Sequence, residues 1–288
     1  MGFLKGGIFT FLGLVLFVLL LFLSSFLTMS FSLEHDSVKS GLVPVIKDLA
    51  NSVPATLERF DRFDLSEFDV SGVIDENYEL MQYHCVNYTE YGFLFEGQMI
   101  DMPCSTLEGG KDAVIDKTAE DFVEGIYYKE YNCDYWDCVS QEKIPFFIVS
   151  EKSKDYWNGK FYSFLLPSLI IIALMFFFVD NKMNLPIIVG ILFVLSSFSF
   201  SKISGVLLGL FSPDNSDFIS SFFNILFSRS GSVFWIFFIL GFILIAGGVA
   251  FWIWNWESVK KKFSKRDVRS IVKEEVGKNN MAKRGKKF

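Results

Sequence analysis

Histidine is almost missing from this chain: His35 and His84 are the only two in 288 residues. Two imidazoles are too few for a histidine-based metal centre, and the zinc-hydrolase pattern His-Glu-x-x-His does not occur. Gly-x-Ser-x-Gly, which presents a serine nucleophile at a strand-to-helix elbow, is missing too. So is the Gly-x-x-x-x-Gly-Lys loop that cradles phosphates with backbone N–H groups. His84 adjoins Cys85, but adjacency in sequence gives no shared-site geometry, and a surface histidine accounts for it. Acid pairs such as Asp75-Glu76 and Glu120-Asp121 are expected wherever acids are this dense, and read as solvated faces rather than cation sites. The sequence therefore predicts no metal, no cofactor and no catalytic set.

Cysteine is scarce and confined. Cys85, Cys104, Cys133 and Cys138 are the full complement, and all fall in one stretch. An even count restricted to one stretch reads as two disulfides on an oxidising side of a membrane. Three pairings are possible; the local one, Cys85 with Cys104 and Cys133 with Cys138, joins nearest neighbours and is favoured.

Long apolar runs, by contrast, are abundant. Half the residues are apolar and thirty-five are Phe. A spanning helix needs roughly 20 mainly apolar residues to cross about 30 Å of hydrocarbon. Ile8 to Met29, Phe161 to Val179, Leu185 to about Gly205 and Val233 to Trp254 each meet that length. The predicted fold class is thus a membrane all-α protein of four transmembrane helices, with a small domain between spans 1 and 2. That domain is expected to be disulfide-stapled, extracytoplasmic and mainly α in an α+β arrangement. The first run exceeds the ~7–15 apolar residues of a signal peptide and no Ala-x-Ala site follows it, so it reads as an uncleaved signal anchor.

Charge gives the orientation. Residues 30–158 carry twenty-six Asp and Glu against ten Lys and Arg, a net of −16. Residues 257–288 carry twelve Lys and Arg against four acids, a net of +8. Lys and Arg flanking spans stay on the cytoplasmic side, so both termini and the 180–184 hinge are expected inside and 30–158 outside. The organisation follows as a signal anchor at 1–29, an acidic extracytoplasmic domain at 30–158, spans 2–4 at 159–256, and a basic cytoplasmic tail at 257–288. Such a protein is expected in a plasma membrane.

Within 30–158, Val38, Leu42, Val45, Ile46 and Leu49 form the apolar stripe of a first helix, with Asp36 or Ser37 as its cap and Pro44 as a kink. From Tyr78 to Cys104 the β-prone aromatics, broken by Gly92 and Gly97, predict two or three short strands. Ile115, Ala119, Phe122, Val123 and Ile126 mark a second helix, capped by Asp112. Asn87-Tyr88-Thr89 is a glycosylation sequon on the outer side, which makes Asn87 a modification candidate.

In the membrane part, Tyr156, Trp157, Tyr162, Trp252, Trp254 and Trp256 read as interface anchors. Lys202 is the one charge placed near the hydrocarbon. A functional intramembrane charge is one reading; near a span end, snorkelling into the headgroups is the simpler one. The apolar run near 216–228 is too short to cross and is expected in the outer interface. Gly241, Gly247 and Gly248 supply small surfaces for close helix packing, and Gly241 with Gly248, which share a face, suits a bundle neighbour. In the tail, Lys260, Lys261, Lys262, Lys265, Arg266 and Arg269 provide a docking surface for anionic lipid, and the lack of aromatic–basic modules argues against nucleic acid.

Three functions compete. Subtraction favours a non-enzymatic surface-binding or scaffold protein that contacts a protein partner through the acidic domain, with the bilayer as the other partner. A thiol–disulfide oxidoreductase using Cys133 and Cys138 is the first alternative. In topology the chain resembles the membrane quinone–disulfide oxidoreductases, although these use Cys-x-x-Cys where this chain has Cys133-x-x-x-x-Cys138. Acids at Glu130, Asp134 and Asp137 would also raise a thiol pKa there rather than lower it. The large disulfide-bearing first outer loop resembles that of claudin-like proteins, without their Trp…Gly-Leu-Trp…Cys…Cys pattern. The second alternative is a transporter or channel subunit relying on Lys202.

Overall fold

The computed structural model describes residues 3–51, 70–95, 97–141, 145–179, 181–211 and 223–254. It is mainly helical, with a single two-stranded hairpin among the described residues. Helix α1 (Phe3–Ser32) carries no charge after Lys5, so nothing in its sequence resists hydrocarbon. Helix α6 (Glu151–Phe178) and the stretch Phe223–Trp254 have the same character along most of their length. These three are long and apolar enough to cross a membrane. The third predicted span falls in α7 (Asn184–Phe211), of which Asn184–Phe200 forms a shorter apolar helix.

The chain forms two compact units. In the first, drawn from Val18–Leu169 and Ser196–Phe237, α2 (His35–Asn51) follows α1 almost at once. Its first turn hangs on the Glu34 carbonyl, which accepts from the Ser37 and Val38 N–H groups at 2.9 Å each. The helix therefore starts just before both predicted caps, Asp36 and Ser37, because the tight turn at Leu33-Glu34 already supplies the first acceptor. Val38, Leu42 and Ile46 are buried as the stripe predicts.

Helix α3 (Val70–His84) corrects the sequence reading, which placed strand from Tyr78 onwards. Ile74 and Met81, seven apart, share its buried face, and that period overrides the β preference of the aromatics. Strands β1 (Glu90–Phe95) and β2 (Gln98–Pro103) then pair antiparallel, with Leu94 opposite Met99 and Phe93 opposite Ile100. Gly97 takes φ +75° in the connection, a conformation open to a residue without Cβ. Helix α4 (Gly110–Tyr128) buries Ile115, Ala119, Phe122, Val123 and Ile126, the predicted face. Asp112 is not its cap. It lies in the first turn, where its charge still complements the helix dipole, and Gly109 takes the cap position with no side-chain bond.

One core gathers α2, α3, the hairpin and α4, and it also includes Ile225 and Leu226. Of the run expected in the outer interface, residues 216–222 lie outside the described residues, while these two are buried here. Ion pairs of Lys39 with Glu120 and Lys47 with Asp116 tie α2 to α4 at 3.1 and 2.5 Å. Exposed pairs of this kind add little; the apolar core carries the packing.

In the second unit, α7 meets the last helix, α8 (230–254). A Cβ built on Gly190 would stand 2.6 Å from the Gly241 carbonyl oxygen, and one on Gly248 would stand 2.6 Å from Ile187 Cγ1. As α7 numbering rises, α8 numbering falls, so the two run antiparallel. Gly241 and Gly248 thus have the bundle neighbour that their shared face predicts.

Candidate functional site

The two cysteine pairs hold different things. Cys85, just after α3, is bonded to Cys104 at the end of β2, with Cα atoms 5.4 Å apart. That bond fastens the helix end to the far end of the hairpin, where the Cys104 N–H also donates to the Thr89 carbonyl at 2.9 Å. Cys133 is bonded to Cys138 across the start of α5 (Tyr135–Gln141), with Cα atoms 5.5 Å apart. No described cysteine is free.

Around the second pair the aromatic residues close into a cluster. The Tyr135 and Tyr156 rings stack with centroids 3.9 Å apart, and Phe147 and Trp157 lie at 5.3 and 5.5 Å from Tyr135. Burial pushes the Tyr135 hydroxyl pKa upward, against an opposing pull from Ser153 and Trp157. Lys152, the second residue of α6, donates to the carbonyls of Tyr131 and Cys133 at 2.6 and 2.5 Å. The sequence reading saw only acids here. Lys152 is nineteen residues from Cys133, and no spacing rule links a lysine to a backbone carbonyl at that distance in sequence. Cys138 is 1% exposed, so that sulfur offers an incoming thiolate no open approach.

The hairpin has two unlike faces. Phe93, Phe95, Ile100 and Met102 point into the core, whereas Leu94 and Met99, directly opposite one another, are each 66% exposed. Gly92 and Asp101 are the next pair on this face, where a Cβ on Gly92 would stand 3.2 Å from Asp101 Oδ1 and 3.5 Å from Met99 Sδ. Tyr83, Val86 and Tyr88, on either side of Cys85, are exposed as well. Asn87 lies in the same turn, exposed, its N–H bonded to the His84 carbonyl at 3.1 Å. His84 stacks on Tyr88 with centroids 4.2 Å apart, which gives that histidine a packing role.

Other sequence candidates stand elsewhere. Lys202 belongs to α7, but its side chain lies outside the described residues, as do Trp256 and all of Lys260, Lys261, Lys262, Lys265, Arg266 and Arg269. Tyr156 and Trp157 join the aromatic cluster, while Tyr162, Trp252 and Trp254 are exposed on their helices. Among the described residues, no group of three or more His, Cys, Asp or Glu side chains is placed to hold a metal ion. Arg229, which directly follows the apolar run near 216–228, makes two bonds to the start of the disulfide-bonded region, through Ser32 and Ser37. No family model, curated protein or solved structure matches the chain.

Proposed function

We propose that this is a multi-pass membrane protein of four spans whose disulfide-bonded region, outside the cytoplasm, binds a protein partner as a surface scaffold. Two arguments support the placement. Disulfides persist on the oxidising side of a membrane, and the basic tail is held inside by the charge rule. The antiparallel contact of α7 with α8 supports the third crossing, because a helix lying along a spanning partner shares its depth.

The observation that carries the binding role is the Leu94–Met99 pair. An exposed apolar pair on a disulfide-fastened hairpin, within an otherwise acidic region, is a surface that gains by being covered. A photo-crosslinking residue at position 94 or 99, in native membranes, is expected to give one discrete protein adduct that is lost when the opposite residue is made acidic, by Met99→Asp or Leu94→Asp respectively. The same residue at Asp112, exposed on α4, serves as the background. If positions 94, 99 and 112 give the same diffuse adducts, the binding role is wrong. Protease protection of sealed vesicles tests the sidedness separately: the 85–138 region must be cut from outside and the 257–288 tail must not.

The buried Cys138 and the Lys152 clasp favour a structural staple over the oxidoreductase alternative. Differential alkylation is expected to find both pairs fully oxidised, and a Cys133–Cys138 pair that cycles with quinone would reverse that choice.

A further inference from the structure

A concave surface separate from the hairpin face lies between α2 and the 223–229 segment. It is a groove of about 480 Å³, lined in part by Ser37, Ser40, Asn224, Ser228 and Arg229. Arg229 is fixed twice: its backbone N–H donates to Ser32 Oγ and its Nε donates to Ser37 Oγ, each at 3.1 Å. A guanidinium carries five N–H donors in a rigid fork, and Ser37 takes one of them. Among the described residues no carboxylate forms an ion pair with Arg229. Asp48, the one acid among the described residues that line the groove, is eleven residues beyond Ser37 on α2. That is ~16 Å along a helix, so among the described lining residues the Arg229 end holds the positive charge, beside the Ser37 and Ser228 hydroxyls and the Asn224 amide, while the Ser40 hydroxyl donates to the Ser37 carbonyl at 3.1 Å.

The depth of this end follows from its neighbours. Ser32 is the last residue of α1, and the apolar helix 230–254 begins one residue after Arg229. Where two apolar helices stop, the headgroup layer begins. The groove also has apolar walls: Val45 and Ile225 line it, and Gly41 lets Ile225 approach so closely that a Cβ there would stand 2.6 Å from Ile225 Cγ1.

We infer that the Arg229 end of this groove binds the phosphate of a phospholipid headgroup in the outer leaflet, with the apolar walls against the glycerol and upper acyl chain. The inference rests on the membrane placement proposed above. An arginine fork, the hydroxyls of Ser37 and Ser228 and the Asn224 amide match the acceptor oxygens of a phosphodiester, and the headgroup depth with apolar walls selects a lipid over a soluble anion.

Native mass spectrometry of the full-length chain, released from detergent with added phosphatidylglycerol or a phosphate-free galactolipid, tests this. Wild-type protein is expected to retain phosphatidylglycerol in preference to galactolipid. Arg229→Gln should lower that retention about tenfold, the effect of losing a charge-assisted bond, with Arg229→Lys in between. If Arg229→Gln cannot be purified folded, Asn224→Ala with Ser228→Ala leaves the Arg229–Ser37 bond intact and should still weaken retention severalfold. Millimolar inorganic phosphate should not displace the lipid. Equal retention in wild type and variants, or displacement by inorganic phosphate, overturns the assignment. Carbonate extraction separates the two claims: a chain that leaves the membrane fails the multi-pass reading, and one that stays while Arg229→Gln changes nothing fails only the groove.

Discussion

Phe177 in α6 is 79% exposed, whereas Phe122 in α4 is 3% exposed, although both are phenylalanines on helices. The polar residues invert in the same way. Ser24, Thr28, Ser168, Ser196 and Ser197 are buried in the apolar helices, while α4 turns Asp112 and Lys111 outward. In α4 the solvent is water, and removing apolar area from it drives burial. In α1, α6 and α8 the surroundings are as apolar as a phenylalanine ring, so burying one gains little, and small residues that permit close approach take the interior instead. The hydroxyls of Ser24, Thr28 and Ser168 cost little there because each is satisfied within its own helix: Ser24 donates to the Leu21 carbonyl at 2.9 Å, Thr28 to that of Ser24 at 2.8 Å, and Ser168 to that of Phe164 at 2.8 Å.

The sharpest way to break this comparison is to truncate both phenylalanines. Phe122→Ala should cost about 3–5 kcal/mol in the unfolding free energy of the disulfide-bonded region, the range for emptying a core aromatic site. Phe177→Ala should stay within about 0.5 kcal/mol in reconstituted vesicles, as a side chain with no packed neighbour does. Urea titration followed by tryptophan fluorescence reads the first, and resistance to denaturing detergent reads the second. A large loss from Phe177→Ala would mean that another helix or subunit covers α6.

The disulfides come next. Their sequence separations are 19 and 5. In the chain-entropy account, replacing Cys85 and Cys104 with serine should cost about 3 kcal/mol, and replacing Cys133 and Cys138 about 2 kcal/mol. Urea midpoints of the two double variants check the order. A larger loss from the shorter loop would show that the Lys152 clasp and the Tyr135–Tyr156 stack depend on that bond.

Within the apolar helices the comparison turns on glycine. The atom nearest to a Cβ on Gly190 or on Gly241 is a backbone carbonyl oxygen, which cannot swing aside, whereas Gly247 has nothing within 4 Å. Gly190→Val is expected to weaken the α7–α8 contact by about 1–3 kcal/mol through overpacking, and Gly247→Val to leave it unchanged. Engineered cysteines at 187 and 248, crosslinked in membranes, report that contact directly. Equal crosslinking in both variants would disprove the close approach.

Much of this was legible in the sequence, for identifiable reasons. The faces of α2 and α4 repeat at 3.6 residues, and that period survives any tertiary context. The first, second and fourth apolar runs are long enough to be read from length alone. Helix α3 was misread because Tyr78 and Tyr83 suggest strand, yet the Ile74 and Met81 spacing was available and would have corrected it. Ile225 and Leu226 were placed by the nearness of their run to the membrane; nothing local distinguishes an interfacial run from one that enters a core. Lys152 and Arg229 act through groups nineteen or more residues away, and sequence patterns carry no record of such pairings. The Leu94–Met99 face could be seen only once the hairpin register was fixed, since a one-residue slip would have turned both inward.

The smallest expected effect lies where the two regions are stitched together. Tyr127 on α4 donates its hydroxyl to the Leu33 carbonyl, just past the end of α1, at 3.0 Å. Burial first, then the charges of Glu151, Asp155 and Glu34 with Tyr128, push its pKa up to about 12, against 10.0 for an ordinary tyrosine. The folded state therefore favours the neutral phenol. Its stabilisation is complete below pH 10, the unfolded value, and is lost as the pH rises through 12, the folded value. Tyr127→Phe removes both the hydrogen bond and the titration. At about pH 8 the variant should be less stable than wild type by roughly 1 kcal/mol, the net worth of one buried hydrogen bond. Between pH 10 and 12 the gap should close and then reverse, because only wild type has a Tyr127 proton to lose and that linkage outweighs one hydrogen bond. Other tyrosines and lysines titrate in the same window, but they are common to both proteins and cancel in the difference. Urea midpoints of the two proteins measured across that range decide the matter. Parallel curves would mean that the Tyr127 hydroxyl meets water when folded, and that the stitch to Leu33 is not closed.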